Sequence, residues 1–136
     1  EPVELAAVSA PRGLAFDSEG NLIVVSTTKD QLLKVTMKGE VSVIVADRPF
    51  DFPHNIAISK DGTKFVTDGY GKCVWKVGAD NKPTKLISGE PFVNPVGISI
   101  SGDTLLVTDP RANAVFEVTL DGKLKNLNLP AEAPAK

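Results

Sequence analysis

Three segments of the chain begin with proline and repeat one pattern at a fixed spacing. They read "PRGLAFDSEGNLIVVST" from Pro11, "PHNIAISKDGTKFVTDG" from Pro53 and "PVGISISGDTLLVTDP" from Pro95. The prolines at positions 11, 53 and 95 are therefore separated by two equal intervals of 42 residues. A fixed period of about 20 to 50 residues is typical of repeat architectures, in which each repeat is one supersecondary unit. The sequence predicts three copies of one such unit.

Each repeat contains four short runs that are typical of β-strands. The first run follows the proline, and the polar turns "DSEGN", "SKDGTK" and "SGD" come next, with Gly, Asp, Ser and Asn suited to tight hairpins. The later runs are "LIVVST", "QLLKVTM" and "EVSVIVA" in the first repeat, with counterparts in the other two. Alternating apolar residues and β-branched residues indicate strands, and no stretch has helical periodicity. We predict an all-β chain.

Four antiparallel strands in 42 residues are the content of one β-propeller blade. We place three four-stranded antiparallel blades at about residues 11–52, 53–94 and 95–129 of a single unit that spans residues 1–136. In the third blade the fourth run is "LKNLNL".

The repeats resemble a known propeller family. "PRGLAFDSEGNLIVVS" resembles the NHL repeat, and "DGTKFVTD" and "GDTLLVTD" are similar to the gluconolactonase/regucalcin-like propellers. The resemblance covers about residues 3–129 and is specific for blade architecture, whereas many unrelated activities use this fold. Two positions depart from the pattern: Asn55 stands where the other repeats have glycine, and Ser26 stands where they have aspartate.

Three blades are too few for a ring, since propellers typically have four to eight. Two copies related by a two-fold axis give six blades, which the resemblance implies is the usual number. We therefore expect a homodimer, and the alternative is that the chain is half of a longer one. The segment at residues 2–8 resembles an outer strand, and we predict that it crosses to the partner's last blade, where Lys123–Leu129 competes for the same edge. The Pro/Ala-rich tail at residues 130–136 is expected to be flexible.

Charge and composition exclude several classes of partner. The formal net charge is −2, from 15 basic and 17 acidic residues, and no basic stripe points to nucleic acid. No apolar run approaches the roughly 20 residues that span a bilayer, so we expect a soluble protein. No signal peptide is visible, but the chain starts at Glu1, so a secreted or periplasmic location after leader removal stays open. The single cysteine, Cys73, excludes an internal disulfide.

The resemblance implies that ligands bind around the channel mouth, in the loops that enter each innermost strand and in the loops that follow each second strand. His54 is the only histidine and opens an innermost strand, where the other repeats carry Arg12 and Val96. A neutral imidazole can bind a metal ion or act as a general base. The resemblance to gluconolactonase-like and amidating-lyase-like propellers implies metal ligands at this type of position. The alternative is that His54 only bonds to the backbone.

Asp68 and Asp109 end their second strands in the sequence "VTD". A carboxylate there can bind Ca²⁺, or it can cap the following loop through backbone N–H groups. In "TDGYGK", two glycines allow close approach to a ligand, and Tyr70 adds an aromatic hydroxyl. This segment resembles the "DGYG" loops of amidating-lyase-like NHL proteins. Ca²⁺ or Zn²⁺ is the candidate cofactor, with His54 and Asp68 as its candidate ligands.

The remaining candidate residues suit an anionic ligand or a metal ion. Arg12 and Arg111 can meet an anionic ligand, and the alternative for Arg111 is a solvated surface position. The resemblance to gluconolactonase-like propellers implies Asn55 and Asn94 as candidate calcium ligands, ahead of Asp51. The ligand-binding residues that we predict are Arg12, His54, Asn55, Asp68, Tyr70 and Arg111. Leu33, Trp75, Phe116 and Cys73 are predicted to lie in the core between blades.

Two classes of function follow from the sequence. The first is an NHL-like module that binds a protein or a small ligand at the channel face. The alternative is a metal-assisted lactonase, hydrolase or lyase, in which the ion is a Lewis acid. The sequence contains no GxSxG, HExxH or P-loop motif. No catalytic triad is visible, because the single histidine would have to serve alone.

Overall fold

The structure, a computed structural model, describes residues 1–125 and contains eleven β-strands in three antiparallel sheets. The first sheet comprises β1 (Pro11–Phe16), β2 (Leu22–Ser26), β3 (Leu32–Val35) and β4 (Val41–Val45). The second comprises β5 (Pro53–Ile58), β6 (Lys64–Asp68), β7 (Cys73–Val77) and β8 (Pro83–Ser88). The third comprises β9 (Gly97–Ser101), β10 (Thr104–Asp109) and β11 (Ala114–Thr119).

Within each sheet the strands pair in chain order, as in propeller blades. The all-β prediction is confirmed. No helix in residues 1–125 is long and apolar enough to cross a membrane.

The two chain ends differ from complete strands in the described part of the molecule. At the C-terminal end, Leu124 forms an isolated antiparallel bridge with Val118, and the Lys125 N–H donates to the Glu117 carbonyl at 2.9 Å. The rest of the predicted strand Lys123–Leu129 and the tail at residues 130–136 lie outside the described residues. The N-terminal segment at residues 2–8 forms no strand within its own chain, and its exchange with a partner stays a prediction.

Side-chain caps and glycines close the hairpins that the sequence indicates. In the first hairpin, the N–H groups of Glu19 and Asn21 both donate to Asp17 Oδ1 at 2.9 Å. The next residue after Glu19 is Gly20, whose φ of 81° lies in the left-handed region that favours glycine. In the second hairpin the capping carboxylate stands two residues later in the repeat, where the Thr63 N–H donates to Asp61 Oδ1 at 3.0 Å. These turns fix the register of the paired strands.

The sheets stack face to face. We call the side of each sheet that points toward the following sheet its back face and the opposite side its front face. In the third sheet, the front face is the side that packs on the second sheet. Because strand residues alternate between faces, the middle strands bury apolar side chains on both sides. Between the first and second sheets the buried residues are Ile23, Val25, Leu32, Val45, Phe50, Ile56, Val66 and Val77. Between the second and third sheets they are Ala57, Phe65, Val74, Phe92, Leu105, Val107 and Val118.

Three of the four predicted core residues are buried or partly buried as expected: Trp75 packs against the first layer, Phe116 packs against the second, and Cys73 is buried. Leu33 is buried too, but it shares a face with Val24 on the other side of the first sheet, so its predicted place between blades is wrong for the described residues.

The first strands of neighbouring sheets, β1 and β5, approach each other closely. A Cβ atom at Gly13 would lie 2.7 Å from the Cα atom of Asn55, which is closer than real Cβ contacts allow. Glycine at position 13 therefore makes room for the asparagine that replaces glycine in the second repeat. The Asn55 side-chain oxygen accepts a hydrogen bond from the Ile56 N–H at 2.9 Å.

Replacement of Phe65 by alanine tests the stacking of the second and third sheets. Phe65 is buried in that layer, so Phe65→Ala should lower the free energy of unfolding by about 3–5 kcal/mol in urea denaturation. Met37, in the β3–β4 turn and 59% exposed, is the control. Met37→Ala should change the free energy of unfolding by no more than about 0.5 kcal/mol. Equal losses from both variants would contradict this packing.

Candidate functional site

The predicted site residues lie at one end of the blades, in strand starts and in the loops after the second strands. Arg12 and His54 lie near the starts of β1 and β5, Tyr70 lies between β6 and β7, and Arg111 lies between β10 and β11. The structure brings Arg12, His54 and Tyr70 together around Phe52. We call these four residues the mouth cluster. Arg111 is exposed, and within residues 1–125 it forms no hydrogen bond or ring contact with this cluster.

Phe52 is the centre of the mouth cluster. Its ring centroid lies 5.1 Å from that of His54 and 5.0 Å from that of Tyr70, and both pairs are tilted. The Arg12 Cζ atom lies 5.2 Å from the Phe52 centroid, within the range of a cation–π interaction. Tyr70 is 69% exposed. The cluster therefore joins side chains from two blades and presents an aromatic hydroxyl to solvent.

The Arg12–His54 contact determines the protonation of the imidazole. Arg12 Nη2 lies 3.1 Å from His54 Nδ1, and arginine can only donate. Nδ1 must therefore accept, so the neutral ring carries its proton on Nε2. Burial lowers the pKa of His54, and the charge of Arg12 lowers it further, against the opposing charge of Asp68. The ring is consequently neutral at pH 7.

Gly69 lies where two polar side chains converge. A Cβ atom at this position would be 2.7 Å from His54 Nε2, and Asn94 Oδ1 would be closer still. Asn94 belongs to the loop that enters the third blade, so the polar surface beside the mouth cluster extends across a second blade boundary. A side chain on residue 69 would displace both groups.

Asp68 is buried, and its carboxylate holds two loops together. Its Oδ1 atom accepts from the N–H groups of Phe52 and Gly71, both at 2.9 Å. Its Oδ2 atom accepts from the Asp51 N–H at 2.8 Å and from Trp75 Nε1 at 3.0 Å. A Cβ atom at Gly71 would lie 2.7 Å from Asp68 Oδ2, so this glycine permits the loop to wrap around the carboxylate. Asp68 therefore fixes the backbone that carries Phe52.

Asp109 makes the same arrangement one blade later. Its Oδ2 atom accepts from the N–H groups of Val93 and Asn94 at 2.7 and 2.9 Å. Its Oδ1 atom accepts from those of Arg111 and Ala112 at 3.1 and 3.0 Å. Burial acts to raise the pKa of Asp109, but the four backbone donors outweigh it, and the pKa lies below its usual range.

In the first blade a serine replaces this aspartate and reverses the bond. The Ser26 hydroxyl lies 2.7 Å from the Ser9 carbonyl and donates to it. It also accepts from the Thr28 N–H at 3.1 Å. The loop that leads into the first strand of the sheet, which we call the entry loop, is therefore held in all three blades. A serine hydroxyl holds it in the first blade, and an aspartate carboxylate holds it in the other two.

The residues proposed as metal ligands are poorly arranged for a metal ion. No group of three or more His, Cys, Asp or Glu side chains that could hold a metal gathers within residues 1–125. Each Asp68 oxygen already accepts two hydrogen bonds, and His54 Nδ1 faces Arg12. Burial raises the pKa of the Cys73 thiol to about 12, so Cys73 stays protonated. Metal binding by His54 and Asp68 stays a prediction.

Phe52 is the site residue that sequence reasoning missed. It precedes Pro53 in "FDFPH", where the other repeats have Ala10 and Asn94. Only the middle repeat carries an aromatic residue there, beside the only histidine. That coincidence was the available signal.

Known β-propellers have the same fold as this chain. A catalytically inactive variant of virginiamycin B lyase from Staphylococcus aureus, solved with quinupristin, is 18% identical, with a TM-score of 0.74 over 90% of this chain and 42% of that chain. The nidogen/laminin complex is 24% identical, with a TM-score of 0.73 over 88% and 50%. A putative gluconolactonase is 21% identical, with a TM-score of 0.67 over 85% and 47%.

These similarities establish the fold and leave activity to the residues themselves. No family model matches the chain, and no curated protein matches it significantly. The chain spans half or less of the length of each of these three solved chains. The β-propeller fold predicted from the repeats is confirmed.

Asp109→Asn tests whether the buried carboxylate holds the entry loop. The amide group of asparagine offers one oxygen and turns N–H donors toward the backbone N–H groups, so the free energy of unfolding at pH 7 should fall by about 2–3 kcal/mol. Because the folded pKa is depressed, the wild-type advantage is present above the unfolded pKa and is lost as pH falls through the folded pKa.

Urea denaturation at a series of pH values from 7 down into the acid range checks both effects. Asp103→Asn, in the exposed β9–β10 turn, is the control and should leave the curve unchanged. A constant difference between wild type and Asp109→Asn at every pH would refute the linkage.

Arg12→Gln tests the electrostatics of the mouth cluster. Removal of the guanidinium should raise the pKa of His54, which should still stay below its ordinary value because burial persists. The single histidine gives one set of imidazole NMR resonances, so its titration is read directly. Arg111→Gln should leave the titration unchanged. The same pKa in Arg12→Gln and wild type would exclude the contact.

Proposed function

We propose that the chain is a β-propeller module that binds a ligand at its channel mouth through the mouth cluster. The observation that carries the proposal is the convergence of Arg12 and His54 on the Phe52 ring, with Tyr70 exposed beside them. The ligand is a small molecule or a protein segment.

The chemistry of the cluster defines the class of ligand. Arg12 donates from a permanently charged guanidinium, and His54 donates from Nε2. The Tyr70 hydroxyl can donate as well, whereas the neighbouring Asp68 carboxylate is already occupied by four N–H groups. A surface of donors beside an aromatic ring suits a carboxylate or phosphate that is attached to a flat apolar group.

A metal-assisted lactonase, hydrolase or lyase is the second candidate function. It is supported by the convergence of His54 Nε2 and Asn94 Oδ1 beside Gly69. An ion bound at Nε2 would move the imidazole proton to Nδ1, where it would oppose the N–H of Arg12. Arg12 would have to leave its present position, and this requirement is the reason that we rank ligand binding first.

We also propose that two copies of the chain form the functional unit. Each copy supplies three blades, and the two copies together give a six-bladed ring. Each copy would then bring its own mouth cluster to a shared channel.

Titration with phenyl phosphate tests the binding site, with inorganic phosphate and phenol as probes for the two halves of the ligand. We expect phenyl phosphate to shift the His54 imidazole resonances and to bind more tightly than either half. Arg12→Gln should weaken binding by about 10- to 100-fold, since it removes a charge-assisted hydrogen bond. Arg111→Gln is the matched control and should bind like wild type.

The outcome also separates the two functions. Equal weakening by the two arginine variants, or no shift with any probe, would contradict the anion site. Titration of metal-free protein with ZnCl₂ and CaCl₂ tests the alternative by the same His54 resonances. A stoichiometric shift with either metal that is absent in Asn94→Ala would favour the metal-assisted enzyme, since Asn94 Oδ1 is the oxygen beside His54 Nε2 at Gly69.

A further inference from the structure

The front face of the first sheet is apolar and lacks the neighbour that its counterparts have. The residues on this face are Leu14, Phe16, Leu22, Val24, Leu33, Val35, Val41 and Val43. Leu14 is 57% exposed, whereas its repeat equivalent Ile56 is 3% exposed beneath the back face of the first sheet. Exposed apolar patches of this kind mark interaction sites.

The back face of the third sheet has no following sheet to pack against within residues 1–125. Val115 pairs with Thr108 as Leu32 pairs with Val25 and as Val74 pairs with Thr67. Leu32 and Val74 are fully buried under the following blade, but Val115 is 50% exposed. The equivalent residues on the three back faces are Ala15, Ala57 and Ser99, and Ile23, Phe65 and Leu106. The third back face therefore keeps the size pattern of the two that are packed.

A threonine hydroxyl at the same position of the second and third sheets is placed to bond to the following blade. In the second sheet, Thr67 Oγ1 accepts from the Asn55 N–H at 3.2 Å and donates to the Val96 carbonyl of the next blade at 2.6 Å. In the third sheet, Thr108 Oγ1 accepts from the Gly97 N–H at 3.0 Å in the same way. Within residues 1–125 its hydroxyl proton meets no carbonyl of a following blade.

The N-terminal segment covers part of the front face of the first sheet. Glu4–Val8 lies near Leu22, Val24 and Val35 around an open cavity of about 240 Å³. The segment forms no strand pairing, and Val3 is 89% exposed. Because this short segment makes no β-sheet pairing, another surface can displace it from the front face.

We propose that the front face of the first sheet binds the back face of the third sheet of a second copy, with residues 3–8 displaced. The proposal deepens the two-copy assembly described above and rests on it. Leu106 and Val115 then pack on Leu14 and Phe16, and Thr108 donates to the carbonyl of the partner subunit's Arg12. A two-fold axis repeats the contact and closes the ring.

A second copy suits this face because it presents the pattern that already covers the two equivalent faces. The covering back faces in this molecule carry a small residue, a large apolar residue and a branched apolar residue in register. The third back face carries Ser99, Leu106 and Val115 in that register.

Solution mass and two exposed substitutions test the proposal. Wild-type chain should run in size exclusion with light scattering at twice its 14.4 kDa mass. Leu14→Glu and Val115→Lys should each run as monomers with unchanged circular dichroism, since both side chains are exposed in the single chain. Met37→Glu, at an exposed apolar residue of the β3–β4 turn, should remain dimeric.

Mixing the two interface variants tests the front-to-back geometry. A mixed pair combines both substitutions in one contact and leaves the other contact wild type, so the dimer should reappear. Front-to-front pairing predicts a dimer for Val115→Lys alone. A monomeric wild-type chain, an open series of larger species, or no rescue on mixing would overturn the proposal.

Failure of this interface is separable from failure of the ligand site. Phenyl phosphate is titrated into the Leu14→Glu variant, whose mouth cluster is intact. If Leu14→Glu binds phenyl phosphate and the wild-type chain is also monomeric, the assembly proposal is wrong and the ligand proposal stands.

Discussion

Face-to-face burial of neighbouring sheets is the interaction on which the rest of the structure depends. The middle strands are apolar on both faces, so one sheet alone would leave half of its apolar side chains in water. Full burial of a valine, leucine or phenylalanine side chain contributes about 1.5–3 kcal/mol, and each of the two interlayer clusters contains at least seven buried residues. Stacking also places the first strands of neighbouring sheets side by side, which is why side chains from different blades meet at the ends of these strands.

The buried aspartates carry this packing into the loops. Asp68 and Asp109 each gather N–H donors from two loops that the sheets alone would leave independent, and Asp68 also accepts from the Trp75 indole of β7. The loop held by Asp68 carries Phe52, and the loop held by Asp109 carries Asn94. Both carboxylates are therefore best understood as positioning residues. Both carboxylates are satisfied by N–H groups inside the fold. The polar groups that remain exposed at the mouth are therefore mainly hydrogen-bond donors.

The repeat period predicts the strands, their order and their hairpins because strand alternation and turn residues are local properties of the chain. The mouth cluster depends on the distance between blades, so no local pattern could show that Arg12 lies on Phe52. The capping alternative for Asp68 came from the chemistry of aspartate in turns, whereas its Trp75 contact required the three-dimensional structure. The segment at residues 2–8 has the alternation of a strand, but alternation does not indicate which sheet edge is available.

The repeat is uneven where chemistry is concentrated, and this unevenness bears on function. At the equivalent positions of His54 the other blades have Arg12 and Val96, and at those of Phe52 they have Ala10 and Asn94. The mouth cluster therefore occurs once in the chain, at the junction of the first two blades, although the scaffold repeats. Selection for packing alone would permit the same residues in every blade. A single aromatic and cationic cluster on a repeating frame is consistent with the proposed binding of a ligand that carries one anionic group.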